Sequence, residues 1–208
     1  MLRTRSLSFA YDSNNAFRFP DLTLEEEAKL LILGESGVGK TTFLHLIAGL
    51  LKPQSGKIEF QGTSLHQLSA ADLDRFRGKN MGLVFQKPHF VRALSLKENL
   101  EMIQYFAGIS KDQLRIKRVL ESLGLGSKLN MNPYQLSQGE QQRAAIAIAV
   151  INQPKLLLAD EPTANLDDKN CQKVHDLLVE QATKSKAQLV IITHDQRLKN
   201  QFKNTLTL

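Results

Sequence analysis

Residues 30–41 read LLILGESGVGKT, and this stretch decides the fold. Four consecutive apolar residues predict a strand that is covered on both faces, and the apolar pattern from 41 to 51 predicts a helix. The loop between them matches the phosphate-binding pattern G-x-x-x-x-G-K-[ST] in the strand-to-helix context that the pattern requires. Its glycines let backbone N–H groups face inward around phosphate oxygens, and the helix start adds positive potential at the same place.

The side chains of this loop predict nucleotide chemistry. Lys40 is placed to reach the β- and γ-phosphates, and the Thr41 hydroxyl is placed to bind Mg²⁺. Magnesium takes a few protein oxygens together with water and phosphate oxygens, so one hydroxyl is a useful contribution. A glycine-rich turn without a ligand is the alternative. The candidate nucleotide-binding residues of the loop are Gly34, Glu35, Ser36, Gly37, Val38, Gly39, Lys40, Thr41 and Thr42.

A second apolar run, LLLA at 156–159, ends in two adjacent carboxylates. Asp160 would hold the magnesium ion, directly or through water. Glu161 is one residue further along. It would orient the attacking water and partly deprotonate it. Paired carboxylates after a strand are also found at ordinary helix starts, where the helix dipole favours them. The phosphate loop in the same chain favours the catalytic interpretation.

A third apolar run, LVII at 189–192, is followed by Thr193 and His194. Ligands of open α/β sheets gather at the carboxyl ends of the strands, so the three runs predict one shared site. His194 could contact the γ-phosphate or steady the water and Glu161, although a single histidine is more often structural. Gln86, after the strand-like MGLVF, is a possible ligand of magnesium or water.

The remaining patterns predict the architecture around this site. Alternating apolar residues at 17–24 and 58–60 predict antiparallel strands, and helical patterns occupy 95–107 and 110–123. We therefore predict an α/β fold: a P-loop NTPase core with a mostly parallel sheet, an antiparallel β subdomain and an inserted helical subdomain. The chain is one predicted domain, 1–208. Its α/β core covers about 1–86 and 153–208, and its helical subdomain covers about 87–152.

Residues 136–143, LSQGEQQR, open a further apolar run. Ser137 and Glu140 have the spacing of a capping box, in which the two side chains satisfy free N–H groups of a helix start. Gly139 lies inside the first turn, where helix propensity disfavours glycine. A cap alone does not explain this glycine, whereas a helix start that leaves N–H groups open to a phosphate does.

Taken together, the motifs resemble those of the nucleotide-binding domain of ATP-binding cassette (ABC) proteins, in order from Tyr11 to His194. GESGVGKTT resembles the family's Walker A motif, LLLADE its Walker B motif, and LSQGE its signature. Gln86 resembles the Q-loop residue, and ANLD at 164–167 resembles the D-loop, which makes Asp167 a candidate site residue. Gln138 belongs to the signature, at a position where the family usually has glycine. Tyr11 falls where the family has an adenine-stacking aromatic, although it could instead be a half-buried strand residue.

The resemblance implies a mechanism that needs two copies of the chain. Two such domains would pair with twofold symmetry around two ATP molecules. Ser137, Gln138, Gly139 and Glu140 of one copy would then meet the nucleotide bound by Lys40 of the other. ATP would close the dimer and hydrolysis would reopen it, driving a separately encoded membrane permease. Phe90 and Leu94 are candidate docking residues, or they belong to the core of the helical lobe.

Composition limits the alternatives. The chain has 208 residues, a net charge of +6 and one cysteine, with no apolar stretch long enough for a signal peptide or a membrane span, so a cytosolic protein held at the membrane by its permease is expected. The charge excess fits a solvated surface or one near anionic lipid, and because the basic residues are scattered no nucleic-acid partner is expected.

Two other functions are compatible with an ABC ATPase. Chromosome and DNA-repair ABC proteins have long coiled coils between the P-loop and the signature, and ribosome-associated ones usually have two cassettes in one chain. This chain has a single cassette with fewer than about a hundred residues between those motifs, so the sequence disfavours both classes. A regulator of a non-transporting membrane partner, of the cell-division type, remains an alternative. Within the family, MGLVFQKPHFVRALSLKENL resembles the branch of lipoprotein-releasing, macrolide-exporting and cell-division ATPases.

Overall fold

A computed structural model describes residues 1–12, 15–164 and 166–208 of the chain. Its strands are β1 (Leu2–Ala10), β2 (Ala16–Arg18), β3 (Leu22–Leu24), β4 (Lys29–Leu33), β5 (Ser55–Phe60), β6 (Thr63–Ser64), β7 (Met81–Val84), β8 (Leu156–Asp160), β9 (Gln188–Thr193) and β10 (Asn204–Thr207). Its α-helices are α1 (Lys40–Ile47), α2 (Ala70–Asn80), α3 (Leu96–Phe106), α4 (Gln113–Ser122), α5 (Gln138–Val150) and α6 (Asp168–Lys184). Short 3₁₀ segments are Leu65–Gln67, Gly126–Lys128, Pro133–Gln135 and Gln196–Gln201.

The central sheet is parallel and has the order β10-β4-β9-β8-β7. The three continuous apolar runs are β4, β8 and β9, and their registers place Leu33 beside Thr193 and Asp160 beside Ile192. The loops and side chains that follow these strands therefore lie at one edge of the sheet. This confirms the predicted parallel core and the convergence of the three strand ends.

Alternate residues of these strands face two separate cores. Leu31, Leu157 and Ile191 pack with α3 to α6 on one face, while Ile32 and Leu158 pack with α1 and the antiparallel strands on the other. Both faces are covered, which is why the strands have continuous rather than alternating apolar residues.

The antiparallel sheet is also confirmed. It has the order β2-β1-β5-β6, with β3 paired to another part of β1. The predicted strand positions at 17–24 form β2 and β3, and those at 58–60 form the end of β5. This sheet lies over the face of the parallel sheet that carries α1, so it supports the phosphate loop from the side.

The helices that were predicted match the structure closely, but two others were missed. The predicted helix at 95–107 is α3 with its two caps, and the one predicted from 110 begins at Gln113 because Asp112 caps it. Helices α2 and α6 were not predicted. None of the residues of α2 is buried, so this helix has no buried apolar stripe to reveal it. Helix α6 does bury one face, which includes Cys171, Val174 and Leu178, and this pattern was missed.

The helical subdomain shares its core with the sheet. One apolar cluster contains residues of α3, α4 and α5 together with strand residues. A Cβ on Gly82 of β7 would lie only 2.1 Å from the Ala149 carbonyl oxygen of α5, so only glycine allows this close packing. Phe90 belongs to the same cluster with 9% exposure, which supports its interpretation as lobe core. The boundaries at about 87 and 152 stay a prediction.

Among the residues that the structure describes, no helix is long and apolar enough to cross a membrane.

Candidate nucleotide-binding and catalytic site

The loop after β4 has the backbone that phosphate binding requires. Gly37 and Gly39 have φ angles of 88° and 98°, in the left-handed region that favours glycine. Gly39 is also the N-cap of α1, and it offers no side chain to the free N–H groups of that helix. A Cβ at Gly39 would lie 2.7 Å from Cδ1 of Phe17, so the ring of Phe17 supports the loop directly. The N–H groups at this helix start remain available to an anion.

Lys40 is held at the centre of the loop. Its ammonium donates hydrogen bonds of 2.9 Å to the carbonyls of Gly34 and Glu35, and it lies 3.6 Å from Oε1 of Glu161. The side chain is only 6% exposed, so its charge acts in surroundings that screen it weakly. This places one cation between the phosphate loop and the carboxylate after β8.

Thr41 and Asp160 meet across the sheet edge. The Thr41 hydroxyl donates a 3.2 Å hydrogen bond to Oδ1 of Asp160, whose side chain is 6% exposed. Burial raises the pKa of the Asp160 carboxyl, while the bond from Thr41 acts in the opposite direction. Among the described residues no group of three or more histidine, cysteine, aspartate or glutamate side chains could hold a metal. A hydroxyl and a carboxylate that lie side by side fit magnesium, which completes its shell with phosphate and water oxygens.

The Glu161 carboxylate is held by groups at the end of β9. Its carboxylate accepts hydrogen bonds from the Thr193 hydroxyl at 2.8 Å and the His194 backbone N–H at 3.2 Å, and the His194 ring nitrogen Nδ1 lies 3.0 Å away. Its backbone has φ = 45° and donates to the Ile192 carbonyl at 2.9 Å. A left-handed conformation at a non-glycine residue is uncommon and persists where neighbours hold it in place. The end of β9 therefore orients Glu161.

A cavity of about 390 Å³ connects these groups. Its described lining includes Phe17, Lys40, Thr41, Gln86, Glu161 and His194. The structure thus brings the candidate residues from Walker A, the Q-loop, Walker B and the third strand to one space. Phe17 was missed as a site residue, because its alternation with Phe19 indicates only a strand.

Tyr11 lies at the margin of this cavity. Its ring is 59% exposed and packs edge-on against Phe9 and Phe17, and its hydroxyl is 3.2 Å from that of Thr42. This position beside the loop is compatible with the predicted contact to a base, which stays a prediction.

The start of α5 forms the predicted capping box. Ser137 Oγ accepts from the Glu140 N–H at 3.4 Å, and Oε2 of Glu140 accepts from the Ser137 N–H at 2.9 Å. The N–H groups of Gln138 and Gly139 have no hydrogen-bond partner in the described chain. Ser137 and Gly139 are absent from the described lining of the phosphate-loop cavity, whereas Gln138 lines a neighbouring one that also reaches Glu161. Among the described residues, this helix start therefore has two unpartnered N–H groups and does not line the phosphate-loop cavity.

Asp167 is the N-cap of α6. Its carboxylate accepts the Asn170 N–H at 2.9 Å, and this bond lowers the pKa of Asp167. Asn165 of the predicted D-loop lies outside the described residues, so the structure describes that motif only in part.

Comparisons with known proteins agree with this arrangement. A family profile described as ABC transporter matches residues 18–164. The lipoprotein-releasing system ATP-binding protein LolD of Shewanella sp. (strain MR-4) is 40% identical over 190 residues, which is 90% of this chain and 82% of that protein. LolD of Syntrophus aciditrophicus (strain SB) is 36% identical over 214 residues, covering 100% of this chain and 96% of that protein.

Solved structures lead to the same family. The ATP-binding cassette MJ0796, in a dimeric post-hydrolysis state bound to ADP and Pi, matches with a TM-score of 0.89 and 29% identity, covering 100% of this chain and 94% of that one. CbiO1 of Clostridium perfringens, part of the ABC transporter complex cbiONQ, matches with a TM-score of 0.85 and 27% identity, covering 99% and 83%. This chain belongs to the ABC transporter family and is an ATPase of that family.

Proposed function

We propose that this chain binds ATP together with Mg²⁺ at residues 34–42 and that Glu161 activates the water that attacks the γ-phosphate. The observation that carries the proposal is the position of the Glu161 carboxylate. It lies 3.6 Å from the Lys40 ammonium and accepts hydrogen bonds from Thr193 and His194, in the cavity of the phosphate loop. A carboxylate held this way beside a phosphate site has the geometry of a water-orienting base.

The residues around Glu161 have separable roles in this proposal. Lys40 and the N–H groups of the loop bind and neutralise the phosphates, while Glu161 accepts a hydrogen bond from the attacking water and begins to remove its proton. His194 steadies Glu161 and the water. Thr41 and Asp160 would hold magnesium, with Gln86 as a further ligand of the ion or of water. When bound, the ion supplies positive charge at the phosphate oxygens.

A second copy of the chain would complete the site. The N–H groups of Gln138 and Gly139 have no hydrogen-bond partner among the described residues, and the described lining of the loop cavity includes no residue of α5. A twofold pair would bring the α5 start of one copy to the phosphates bound by the other. The dimeric state of the MJ0796 cassette supports this arrangement. ATP would then act as part of the interface, and its hydrolysis would loosen the pair.

A membrane permease is the proposed partner that uses this movement. A groove of about 440 Å³ opens between α2, β7, α3 and α5, and Phe106 at its rim is 70% exposed. Most of the side chains that line the groove are apolar, among them Leu50, Met81 and Ile103. A largely apolar groove suits a short amphipathic segment of a permease. Such a partner would hold the chain peripherally at the inner face of a membrane.

The LolD relatives favour a permease of the lipoprotein-releasing type. The groove described above replaces Phe90 as the centre of the proposed docking surface, because Phe90 is core. Leu94 is half-buried and stays a candidate docking residue outside the groove lining.

Glu161→Gln tests the catalytic proposal. We expect this variant to bind ATP and to hydrolyse it roughly 10²–10⁴-fold more slowly, because an amide cannot accept the proton of the water. It should also accumulate as a dimer with ATP and Mg²⁺. Phosphate release measures the first effect, and size-exclusion chromatography with light scattering measures the second.

Glu180→Gln is a matched control, since Glu180 lies on the half-exposed surface of α6 and pairs with Lys184. It should behave as wild type in both measurements. A Glu161→Gln variant with wild-type turnover would contradict the role of Glu161. A variant that remains monomeric at saturating ATP and Mg²⁺ would contradict the shared site.

A further inference from the structure

Arg197 joins two separate segments of the chain. It lies in the 3₁₀ segment Gln196–Gln201, and its guanidinium donates three hydrogen bonds of 2.7–3.1 Å to the two carboxylate oxygens of Asp195. The same guanidinium donates two bonds of 3.2 Å to the Leu166 carbonyl and one of 2.5 Å to Oδ1 of Asp168. One side chain thus connects the turn after β9 to the residues that precede α6.

The turn and the segment joined by Arg197 both lead to Glu161. Oδ2 of Asp195 also accepts the hydroxyl of Thr163, at 3.1 Å, and Thr163 is completely buried. The Asp195 N–H donates to the Thr193 hydroxyl at 3.0 Å, and that hydroxyl donates to Oε2 of Glu161 at 2.8 Å. A continuous hydrogen-bonded path therefore runs from the guanidinium to the carboxylate that would activate water.

The geometry of this contact suits an arginine. The planar fork of the guanidinium donates to both oxygens of Asp195 and, at the same time, to the Leu166 carbonyl, in fixed directions that a compact ammonium does not reproduce. Hydrogen bonds from the Arg197 side chain hold the pKa of Asp195 at about 2, so this carboxylate is ionised at neutral pH. The Asp168 side chain is 89% exposed, and such an ion pair contributes little on its own. Asp195 and the Leu166 carbonyl are therefore the main anchors.

We propose that Arg197 is a positioning residue for hydrolysis, which clamps Thr163 and residues 166–168 to the turn at 193–195 and so keeps the Glu161 carboxylate in its working orientation. Glu161 has the uncommon φ of 45°, which needs support from its surroundings. The bond from Thr193 and the fixed course of the chain after Glu161 supply that support, and both depend on the clamp. The inference rests on the role proposed above for Glu161.

Arg197→Met tests the clamp because it keeps the aliphatic stem and removes the fork. We expect kcat to fall roughly tenfold, since small misplacements of a catalytic group have effects of this size or larger. The KM for ATP should stay within about twofold, because the described lining of the phosphate-loop cavity does not include Arg197. Arg75→Met is the control: Arg75 is an exposed arginine of α2 paired with Asp72, and its loss should leave both constants unchanged.

A double variant separates positioning from a general structural role. If Arg197 acts through Glu161, Arg197→Met should not slow hydrolysis further in a Glu161→Gln background, as measured by single-turnover phosphate release. An equal loss in both backgrounds would overturn the proposal, and so would an unchanged kcat in the single variant.

Arg197→Lys carries the same test if the methionine variant does not fold. Lysine keeps the pair with Asp195 and gives up the fork, so an intermediate kcat with unchanged KM supports the proposal and a wild-type kcat overturns it. A wild-type chain without ATP hydrolysis would instead refute the proposed function itself, and with it the inference. A wild type that hydrolyses ATP beside an Arg197→Met variant with equal kcat would refute the inference alone.

Discussion

Helices α3 and α5 begin with the same motif and differ in what surrounds it. Ser95 and Glu98 form the capping box of α3, with the Ser95 N–H donating to Oε2 of Glu98 at 2.8 Å. Ser137 and Glu140 form that of α5, with the corresponding bond at 2.9 Å. A capping box satisfies two of the four free N–H groups of a helix start. The fate of the other two distinguishes the helices.

In α3 the remaining two groups are occupied within the chain. The N–H of Leu96 donates to the Met131 carbonyl and that of Lys97 donates to the Leu129 carbonyl, both at 2.9 Å. In α5 the corresponding N–H groups, those of Gln138 and Gly139, have no such partner among the described residues. One capped start is closed by its own chain, whereas the other is ordered by its cap and left open. The open pair is what an anion from outside the chain would use.

Gly139→Asp should have the largest effect on this difference. A carboxylate beside the open N–H groups would repel the phosphates of a partner's nucleotide, so we expect turnover to fall at least about 100-fold. Binding of ATP to the monomer should be unchanged. Folding should be retained, because the nearest atom to a Cβ at this position, apart from the helix's own neighbouring backbone, is the Arg143 guanidinium at 3.7 Å. Phosphate release and nucleotide titration measure the two quantities.

Lys97→Asp places the same side chain at the same position of α3. Because the N–H of Lys97 is already bonded, we expect turnover of this variant to equal that of wild type. Equal losses in the two variants would mean that the open start of α5 has no special role.

Most of the fold could be predicted because its core strands have an unusual pattern. Strands buried on both faces have continuous apolar runs, as in β4, β8 and β9. The phosphate-loop motif also identifies β4 as the strand before it and α1 as the helix after it. Helix α2 was missed because it buries no residue, and edge strand β10 because it has only one partly buried apolar side chain. Strand β1 and helix α6 were also missed, although both bury apolar residues. Periodicity reports burial, so elements with little burial leave little trace in the sequence.

The site residues also fall into those that the sequence identified and those that it did not. The candidates that follow the apolar strands, such as Lys40 and Glu161, lie together, as the shared edge of the strand ends predicted. Phe17, Thr193 and Arg197 were not assigned a role, because each acts through a contact with a residue far away in the sequence. Spacing identifies residues that touch a ligand through a local motif, but it carries no information about which distant side chains hold those residues in place.

Ser137→Ala and Ser95→Ala form the next comparison, with a smaller expected effect. Each change removes an N-cap, so each should lower the free energy of unfolding by about 1 kcal/mol. Only Ser137→Ala should also lower turnover, by roughly tenfold, because only this hydroxyl lies beside open N–H groups. Denaturant unfolding and phosphate release distinguish the two effects. A similar loss of turnover in both variants would mean that activity simply follows helix stability.

The smallest effect is expected when the glutamate of each box becomes glutamine, as in Glu140→Gln and Glu98→Gln. Hydrogen bonds from Ser137 and Ser95 lower the pKa of these carboxyls below the ordinary 4.5. The charged form therefore contributes stability above about pH 4.5, which is lost as the pH falls through the lowered pKa. Glutamine can keep the cap without the charge, so each variant should be slightly less stable than wild type at pH 7, and the difference should vanish in acid. Unfolding curves at several pH values between 3 and 7 measure this convergence.

Turnover at pH 7, measured in the same two variants, distinguishes the capping box of α5 from that of α3. If Glu140 only orders the turn, Glu140→Gln and Glu98→Gln should both hydrolyse ATP at the wild-type rate. A changed rate in Glu140→Gln alone would mean that its charge acts on the phosphate bound at the open N–H groups, with Lys128, 3.7 Å from Oε1 of Glu140, as the group that balances it. The cap of α5 would then be part of the nucleotide site, and the separation between an ordering cap and an open pair of N–H groups would no longer hold.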